Sequence, residues 1–244
     1  MSTFTYLITG ASRGLGLGYS KALLASDPRI RVVAAARNPS AASDLQALAN
    51  EEANKGRIHL LQLDVEDKDK VAQAVKELEA SGFVENGIDA LVLNAGVAAE
   101  SKYKPSEIEP EHVLANLGVN LFGVLNVTKA FLPLVRQGKG KQIFTVSSVC
   151  GSVEEFGKNT VATGYCISKS AVTMWTAKLA AELGPEGFTV IPFHPGYVST
   201  GINGHSGTLT VEEAAAEALK NVFQAAKPEL NGSFLRYSGG TVPW

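Results

Sequence analysis

Short apolar runs alternate with longer helical stretches along the whole chain, and this rhythm constrains the fold more than any other feature of the sequence. Each run is near-continuously apolar, as expected for a strand that is covered on both faces. Right-handed crossovers place the intervening helices over the two faces of such a parallel sheet. The predicted strands are Tyr6 to Thr9, Arg31 to Ala35, Ile58 to Leu63, Ile88 to Leu93, Gln142 to Ser147 and Phe188 to Phe193.

The segments between these runs have helical composition, although the region around Pro105 to Gly123 does not reveal its boundaries. Residues 1–244 contain 45% hydrophobic residues and no long linker, so we expect one domain. The end of the chain, Gly232 to Trp244, predicts a short final strand and a tail that packs back on the body. The predicted helices are Leu15 to Ala25, Ala41 to Asn54, Lys68 to Ala80, Val113 to Val135, Gly164 to Leu183 and Val211 to Ala226.

Composition argues against several classes of protein. The formal net charge is -2 and both signs are scattered, so no nucleic-acid partner is expected. No signal sequence is evident and no apolar run approaches the roughly 20 residues that span a bilayer, so we expect a cytoplasmic protein without a membrane contact. Cys150 and Cys166 are too few for a disulfide framework, and without paired ligand spacing no metal is expected.

A glycine-rich turn directly follows the first predicted strand and opens a helix: Thr9-Gly10-Ala11-Ser12-Arg13-Gly14-Leu15-Gly16. Glycines permit a tight turn and let the backbone amides at a helix N-terminus approach a pyrophosphate. A plain strand-to-helix turn would show the same glycines, but the position after the first strand favours a dinucleotide site.

The spacing Gly-x-x-x-Gly-x-Gly resembles that of the short-chain dehydrogenase/reductase family, and the resemblance covers essentially the whole chain. It implies a Rossmann-type, doubly wound, mostly parallel seven-stranded sheet with helices on both faces in a single domain. After the third strand it places Asp64 and Val65 at the adenine, and after the fourth it places Asn94, Ala95 and Gly96 along the cofactor. In the glycine-rich turn it assigns cofactor binding to Gly10, Ser12, Arg13, Gly14, Leu15 and Gly16.

The end of the second strand indicates which nicotinamide cofactor is used. Sites that prefer NAD place a carboxylate there for the ribose hydroxyls, and that carboxylate would repel a 2′-phosphate. Here the strand ends in Ala36 and Arg37, and Arg13 lies in the glycine-rich turn. Two guanidinium groups suit a phosphate by charge and geometry, so we expect NADP(H), although both could also be ordinary surface arginines.

Tyr165 and Lys169 are four residues apart in a predicted helix and therefore lie on one face. A phenol with a pKa of about 10 exchanges protons poorly at neutral pH, and an adjacent ammonium is expected to lower that pKa. The spacing alone is common in helices. Together with the glycine-rich turn it predicts that Tyr165 is a general acid and that Lys169 tunes it and binds the cofactor ribose.

The resemblance supplies two further catalytic residues. Ser148, at the end of the fifth strand, would orient the substrate carbonyl with Tyr165, and Asn120 would hold a water that relays protons to Lys169. The spacing from Ser148 to Tyr165 is longer than is usual in the family, so Ser152 is a rival for the serine. Asn120 could instead be a polar residue satisfied inside its helix.

The inserted loop, Val153 to Thr163, resembles the carbonyl-reductase-like branch of the family, with Phe156 available to wall the substrate pocket. After the sixth strand the turn Pro195-Gly196-Tyr197-Val198-Ser199-Thr200 resembles one that holds the nicotinamide, which assigns cofactor binding to Pro195, Gly196, Val198 and Thr200. We expect His194 to be structural. Each cysteine is expected to be a small buried hydrophobe.

These motifs together predict NADPH-dependent reduction of a small-molecule ketone or aldehyde, with hydride transfer to carbon and proton transfer from Tyr165. An NAD-dependent alcohol or steroid dehydrogenase is the alternative enzyme, which Arg13, Arg37 and the missing carboxylate at Ala36 argue against. A non-catalytic NADPH-binding sensor is the other alternative, but it would not need the four catalytic residues. The resemblance also allows a homo-oligomer, paired through the helices that carry Asn120 and Tyr165.

Overall fold

Seven strands form one sheet in the computed structural model, which describes residues 3–99 and 103–244. The strand order is β3-β2-β1-β4-β5-β6-β7 and every neighbouring pair is parallel. This confirms the predicted doubly wound sheet with its seven strands. The strands are β1 (Phe4–Thr9), β2 (Ile30–Ala36), β3 (Ile58–Gln62), β4 (Ala90–Leu93), β5 (Gln142–Val146), β6 (Thr189–His194) and β7 (Leu235–Arg236).

Helices cover both faces of this sheet, as the alternating pattern predicts. The predicted helices that begin at Leu15, Lys68, Val113 and Gly164 agree with helical segments of the structure to within three residues at each end. Ala41 to Asn54 is an α-helix only over Ser43–Asn50, between two short 3₁₀ turns. The helices are α1 (Gly14–Ser26), α2 (Ser43–Asn50), α3 (Lys68–Ala80), α4 (Pro110–Leu117), α5 (Val124–Gln137), α6 (Val153–Phe156), α7 (Thr163–Leu183) and α8 (Val211–Ala218).

The core is divided by the sheet into two apolar layers, because successive strand residues point to opposite faces. Leu7 and Val33 face the layer under α3, α5 and α7, whereas Ile8 and Val32 face the layer under α1, α2 and α8. Burial of each large apolar side chain contributes roughly 1.5–3 kcal/mol. The chain continues from β1 to β2 on one side and from β4 to β5 on the other, and in such folds a ligand binds at the carboxyl ends of the two strands where the order divides in this way.

One unbroken helical segment contains the region that the sequence leaves unbounded. It begins at Pro110, passes through α4, a π-helical stretch at Gly118–Gly123 and α5, and ends at Gln137. A π-helical turn shifts the following side chains around the axis, and such turns are frequent at functional sites. A second π-helical turn, Leu219–Phe223, ends α8 earlier than Ala226, the predicted end.

The segment Pro110–Gln137 is long and apolar enough to cross a bilayer by length and composition, with a mean hydropathy of 1.4 in one stretch. The expectation that no apolar run approaches this length is therefore wrong. Of that stretch, 44% is buried inside the fold, and core helices of globular proteins have the same composition. The absence of a membrane contact and the cytoplasmic location stay predictions.

Candidate active site

The glycine-rich turn brings backbone groups into contact where side chains would not fit. A Cβ at Gly16 would lie 2.4 Å from the Gly10 carbonyl oxygen, and one at Gly10 would lie 2.9 Å from the Ala95 Cα. Gly10 also has a φ of 68°, which favours glycine. The turn therefore lies directly against the segment after β4, and it leads into the free amide groups at the start of α1.

Thr9 is a residue of this region that the sequence analysis missed. Its Oγ1 accepts 3.0 Å hydrogen bonds from the backbone amides of Asn94 and Ala95, and Asn94 Nδ2 donates to the Thr9 carbonyl at 2.8 Å. These bonds clamp the ends of β1 and β4 together. A threonine immediately before the first glycine was the only available signal, and threonine is ordinary in strands.

The same end of the sheet gathers the residues expected at the adenosine. The amide of Ala11 donates to the Ala35 carbonyl at 2.9 Å, which joins the glycine-rich turn to the end of β2. Arg13 and Arg37 extend from these two segments, both exposed, and within residues 3–99 and 103–244 neither pairs with a carboxylate. Two unpaired cations thus flank the ends of β1 and β2.

Asp64 and Val65 follow β3 at this edge. Asp64 is half-buried: its Oδ1 accepts a 3.3 Å hydrogen bond from the Glu66 amide, and its Oδ2 lies 4.0 Å from Lys70 Nζ in an ion pair. Val65 is buried, and its carbonyl accepts from Asn126 Nδ2 of α5 at 3.1 Å. Asp64 and Val65 are therefore held by hydrogen bonds at the carboxyl ends of the strands rather than lying in a free loop.

The turn after β6 borders the crevice at the carboxyl ends of the strands, on the side opposite Asp64 and Val65. Pro195 and Val198 are buried, and the Val198 carbonyl accepts from Asn203 Nδ2 at 2.8 Å. Thr200 Cγ2 lies 3.5 Å from the position that a Cβ on Gly14 would occupy. The structure therefore brings the two predicted cofactor-binding turns, the one at Gly196 to Thr200 and the glycine-rich one, to the same place.

Lys169 lies two turns into α7 and is almost completely buried. Its Nζ donates a 2.8 Å hydrogen bond to the carbonyl of Val146 and lies 5.6 Å from the centre of the Tyr165 ring. Burial lowers the pKa of Lys169 to about 8, because a charged amine is costly to desolvate. Lys169 and Tyr165 share one helix face, as the spacing predicts.

The pKa of Tyr165 is not lowered in the structure, although the sequence predicts that Lys169 lowers it. Burial raises the pKa of the Tyr165 phenol, negative charge on Cys150 raises it further, and a hydrogen bond with Ser148 opposes the change. The prediction of a lowered pKa is therefore wrong for the protein without ligands. Tyr165 is fully protonated at neutral pH in this environment.

Of the two candidate serines, Ser148 is the one beside Tyr165. Its side chain is hydrogen-bonded with Tyr165, and its Oγ also accepts from the Cys150 amide at 3.2 Å. Ser152 is only 1% exposed, and its Oγ accepts from the Glu155 amide at 3.1 Å, where it caps α6. The hydroxyl of Ser152 is thus occupied in shaping the loop.

Asn120 lies in the π-helical stretch and is buried. Its Oδ1 accepts from the Val97 amide and its Nδ2 donates to the Val97 carbonyl, both at 2.9 Å, and Nδ2 also donates to Ser168 Oγ at 2.9 Å. A Cβ on Gly96 would lie 3.3 Å from Asn120 Oδ1 and 3.7 Å from Lys169 Nζ. Asn120 therefore connects the segment after β4 with α7 beside Lys169, whereas its role in holding a water stays a prediction.

His194 has a structural role, as expected. Its Nδ1 accepts a 3.3 Å hydrogen bond from the Val149 amide, in the short 3₁₀ turn that follows Ser148. Burial lowers the pKa of His194 to about 4, with the charge of Arg236 as a further cause. The imidazole is therefore neutral at pH 7 and can accept this bond.

The two cysteines differ from the expectation of buried hydrophobes. Both are partly exposed, and their side chains are hydrogen-bonded to each other. This interaction lowers the pKa of Cys150 and raises that of Cys166, and the Cys166 Sγ also donates to the Val161 carbonyl at 3.7 Å. An interaction with Ser148 and the charge of Lys169 also favour the Cys150 thiolate. The sequence separates the two cysteines by an exposed loop and gives no signal of this contact.

The loop between Ser148 and Tyr165 is anchored by the end of the chain. Arg236 forms an ion pair with Glu155, and the Glu154 amide donates to the Trp244 carbonyl at 3.2 Å. The Trp244 ring packs on Phe234 with 6.0 Å between centres, which confirms that the tail packs back on the body. Within the described residues no group of histidine, cysteine and carboxylate side chains could hold a metal ion.

Comparison with known proteins agrees with this geometry. A family model described as short chain dehydrogenase matches residues 5–208. An oxidoreductase of Schizosaccharomyces pombe is 34% identical, over 98% of this chain and 97% of the relative. Two solved structures each cover 100% of both chains with a TM-score of 0.89: the carbonyl reductase Sniffer of D. melanogaster, 28% identical, and an NADPH-bound carbonyl reductase from chicken fatty liver, 27% identical. The chain belongs to the short-chain dehydrogenase family.

Proposed function

We propose that the protein reduces a ketone or aldehyde to an alcohol with NADPH, and that Tyr165 is the general acid. The observation that carries this proposal is the Ser148 and Tyr165 hydroxyl pair, hydrogen-bonded beside Lys169 at the carboxyl end of the sheet. The glycine-rich turn lies across the same crevice. The carbonyl reductase structures that the chain resembles support the same class of reaction.

The residues present fit NADPH. The close approach at Gly10 and Gly16 leaves bare backbone and the start of α1 for the pyrophosphate. Arg13 and Arg37 would hold the 2′-phosphate, because both are exposed, unpaired within the described residues and not opposed by a carboxylate at Ala36. When bound, NADPH supplies the hydride that reaches the carbonyl carbon.

Ser148 and Tyr165 orient the substrate and supply its proton. Two hydroxyl donors converging on the carbonyl oxygen would fix the carbonyl for attack and stabilise the negative charge that develops there. The raised pKa keeps Tyr165 protonated, so it can donate its proton as that charge forms.

Lys169 and Asn120 support this proton transfer. Lys169, with a pKa of about 8, is mostly a cation at neutral pH, and a cation near the ring stabilises the phenolate left behind. Its bond to Val146 uses one of three ammonium donors, so the others remain for the cofactor ribose. Asn120 fixes Val97 and Ser168 around this ammonium.

The test measures oxidation of NADPH and, separately, of NADH by the purified protein with aliphatic, aromatic and quinone carbonyls. We expect turnover with NADPH and a preference for it over NADH. A clear preference for NADH would contradict the roles of Arg13 and Arg37. NADPH binding without turnover on any carbonyl would contradict the reductase and favour a sensor.

A further inference from the structure

Cys150 and Cys166 meet beside the hydroxyl pair. Cys150 lies in the 3₁₀ turn Val149–Gly151, and Cys166 lies in the first turn of α7, next to Tyr165. The turn is packed tightly on the helix, because a Cβ on Gly151 would lie 2.9 Å from the Lys169 carbonyl, and Ser170 Oγ donates to the Gly151 carbonyl at 3.1 Å. Cys166 lies about one helical turn before Lys169 and Ser170, so it shares the helix face on which this turn packs. The two thiols interact across this contact, and the Cys166 Sγ also lies 3.7 Å from the Val161 carbonyl oxygen.

The surroundings favour reaction at Cys150. A thiolate is the reactive form of cysteine, and hydrogen-bond donors and nearby cations stabilise it. The Cys166 thiol, Ser148 and the buried Lys169 supply these interactions, in that order, and lower the pKa of Cys150. Both side chains are partly exposed, so a small oxidant can reach them. They are also the only cysteines in the chain.

We propose that Cys150 and Cys166 are a peroxide-reactive dithiol site, and that their oxidation to a disulfide switches off the neighbouring active site. The inhibition rests on the proposed reductase function. The thiol chemistry does not depend on it, since it follows from the contact between the two side chains.

The reaction takes two balanced steps. The Cys150 thiolate attacks hydrogen peroxide, so that the O–O bond breaks, a sulfenic acid forms and hydroxide leaves. The Cys166 sulfur then attacks the Cys150 sulfur, the S–O bond breaks, and the thiol proton leaves with the oxygen as water. Peroxide is the oxidant and takes up two electrons; a dithiol reductant such as dithiothreitol reverses the change.

Closing the disulfide would disturb the hydroxyl pair. Bonded sulfurs are about 2.05 Å apart, closer than two sulfurs in non-bonded contact, so closing the bond would pull the first turn of α7 towards the 3₁₀ turn. The exposed loop before α7 ends at Ala162 with a φ of 52°, a strained conformation that can relax during this movement. Tyr165 would move with Cys166, and a displacement of about 1 Å can cost about 10²-fold in rate.

The experiment treats the reduced full-length protein with hydrogen peroxide and follows intact mass, free thiols and NADPH-dependent turnover. We expect the wild type to lose two hydrogen atoms and both thiols, with a linked Cys150–Cys166 peptide in the same chain. Its turnover should fall by about 10²-fold and return with dithiothreitol. Cys166→Ser should instead give a Cys150 sulfenic acid that a cyclic dione captures. Cys150→Ser should have the same turnover after peroxide treatment as before it.

Three results would overturn the inference: two thiols still free in the treated wild type, a link only between two chains, or full disulfide with unchanged turnover. The mass and thiol readings decide the chemistry whatever the protein catalyses. An untreated wild type that reduces no carbonyl would therefore refute the proposed function and leave the dithiol result standing.

Discussion

Lys169 donates a 2.8 Å hydrogen bond to the carbonyl of Val146, the last residue of β5. This contact is one of several hydrogen bonds that connect the helix that carries Tyr165 to the end of the strand that leads to Ser148. The buried ammonium thereby helps to set how α7 lies against the strand end. The hydroxyl pair is positioned by the protein before any ligand arrives, which is the preorganisation that electrostatic catalysis requires.

Removing the arginines should weaken the binding of NADPH selectively. We expect Arg13→Ala and Arg37→Ala each to raise the Kd for NADPH by about 10- to 100-fold, since a charged hydrogen-bonded contact contributes roughly 1.5–3 kcal/mol. The Kd for NADH should stay nearly constant. Fluorescence titration measures both constants.

Arg29→Ala is the matched control for this pair, because Arg29 is paired with Asp27 and lies just before β2, at the amino ends of the strands and away from the glycine-rich turn. It should change neither Kd. An equal loss of NADPH and NADH affinity in the Arg13 and Arg37 variants would contradict recognition of the 2′-phosphate.

Substitution of the two candidate serines should affect different properties, kcat for Ser148 and stability for Ser152. Ser148→Ala removes a hydroxyl beside Tyr165, and we expect kcat to fall by about 10²- to 10³-fold, as for loss of one donor to a developing oxyanion. Ser152→Ala removes a helix cap and should cost about 1 kcal/mol of stability with a smaller effect on kcat. Steady-state kinetics and thermal unfolding of both variants test this, and a larger loss of kcat in Ser152→Ala would reverse the assignment.

Gly16→Ala should distort the glycine-rich turn. The added Cβ would lie 2.4 Å from the Gly10 carbonyl oxygen, so the backbone must shift, at a cost of about 1–3 kcal/mol. We expect lower stability and weaker NADPH binding. A Cβ on Gly201 would meet nothing within 4 Å, so Gly201→Ala is the control. Unchanged NADPH binding in Gly16→Ala would show that the turn does not need this close approach.

His194 should make the protein less stable in mild acid. Its pKa is about 4 when folded and 6.5 when exposed, so between these values the unfolded chain binds more protons and stability falls as the pH falls. This costs at most about 3 kcal/mol by pH 4, and His194→Asn should lack it. Urea unfolding of both proteins at pH 7 and pH 4.5 measures the difference. Parallel pH dependence in the two would contradict the buried neutral imidazole.

Local pattern predicted the sheet, most of the helices and the two turns proposed to bind the cofactor, because each depends on residues close together in the chain. The spacing of Tyr165 and Lys169 works in the same way, since one helix turn places both on a face. Other contacts join residues that are far apart in sequence: the hydrogen bonds of Thr9 with Asn94 and Ala95, the contact between Cys150 and Cys166, and the pairing of Arg236 with Glu155. These depend on how packed elements meet, which no local pattern encodes.

The direction of the Tyr165 pKa shift was mispredicted for a related reason. The helix spacing brings in the cation of Lys169, but burial and the charge of Cys150 come from the surrounding fold and prevail. The π-helical stretch around Asn120 also escaped the sequence, because a helix that changes its hydrogen bonding keeps an ordinary helical composition.

The most direct test of the proposed reaction is kcat for carbonyl reduction by Tyr165→Phe, measured with NADPH binding on the same preparation. The substitution removes only the hydroxyl, so kcat should fall by about 10²- to 10⁴-fold while the Kd for NADPH stays nearly unchanged. Tyr6→Phe, a buried tyrosine in the strand interior, should keep kcat. Turnover by Tyr165→Phe close to that of the wild type would contradict Tyr165 as the general acid.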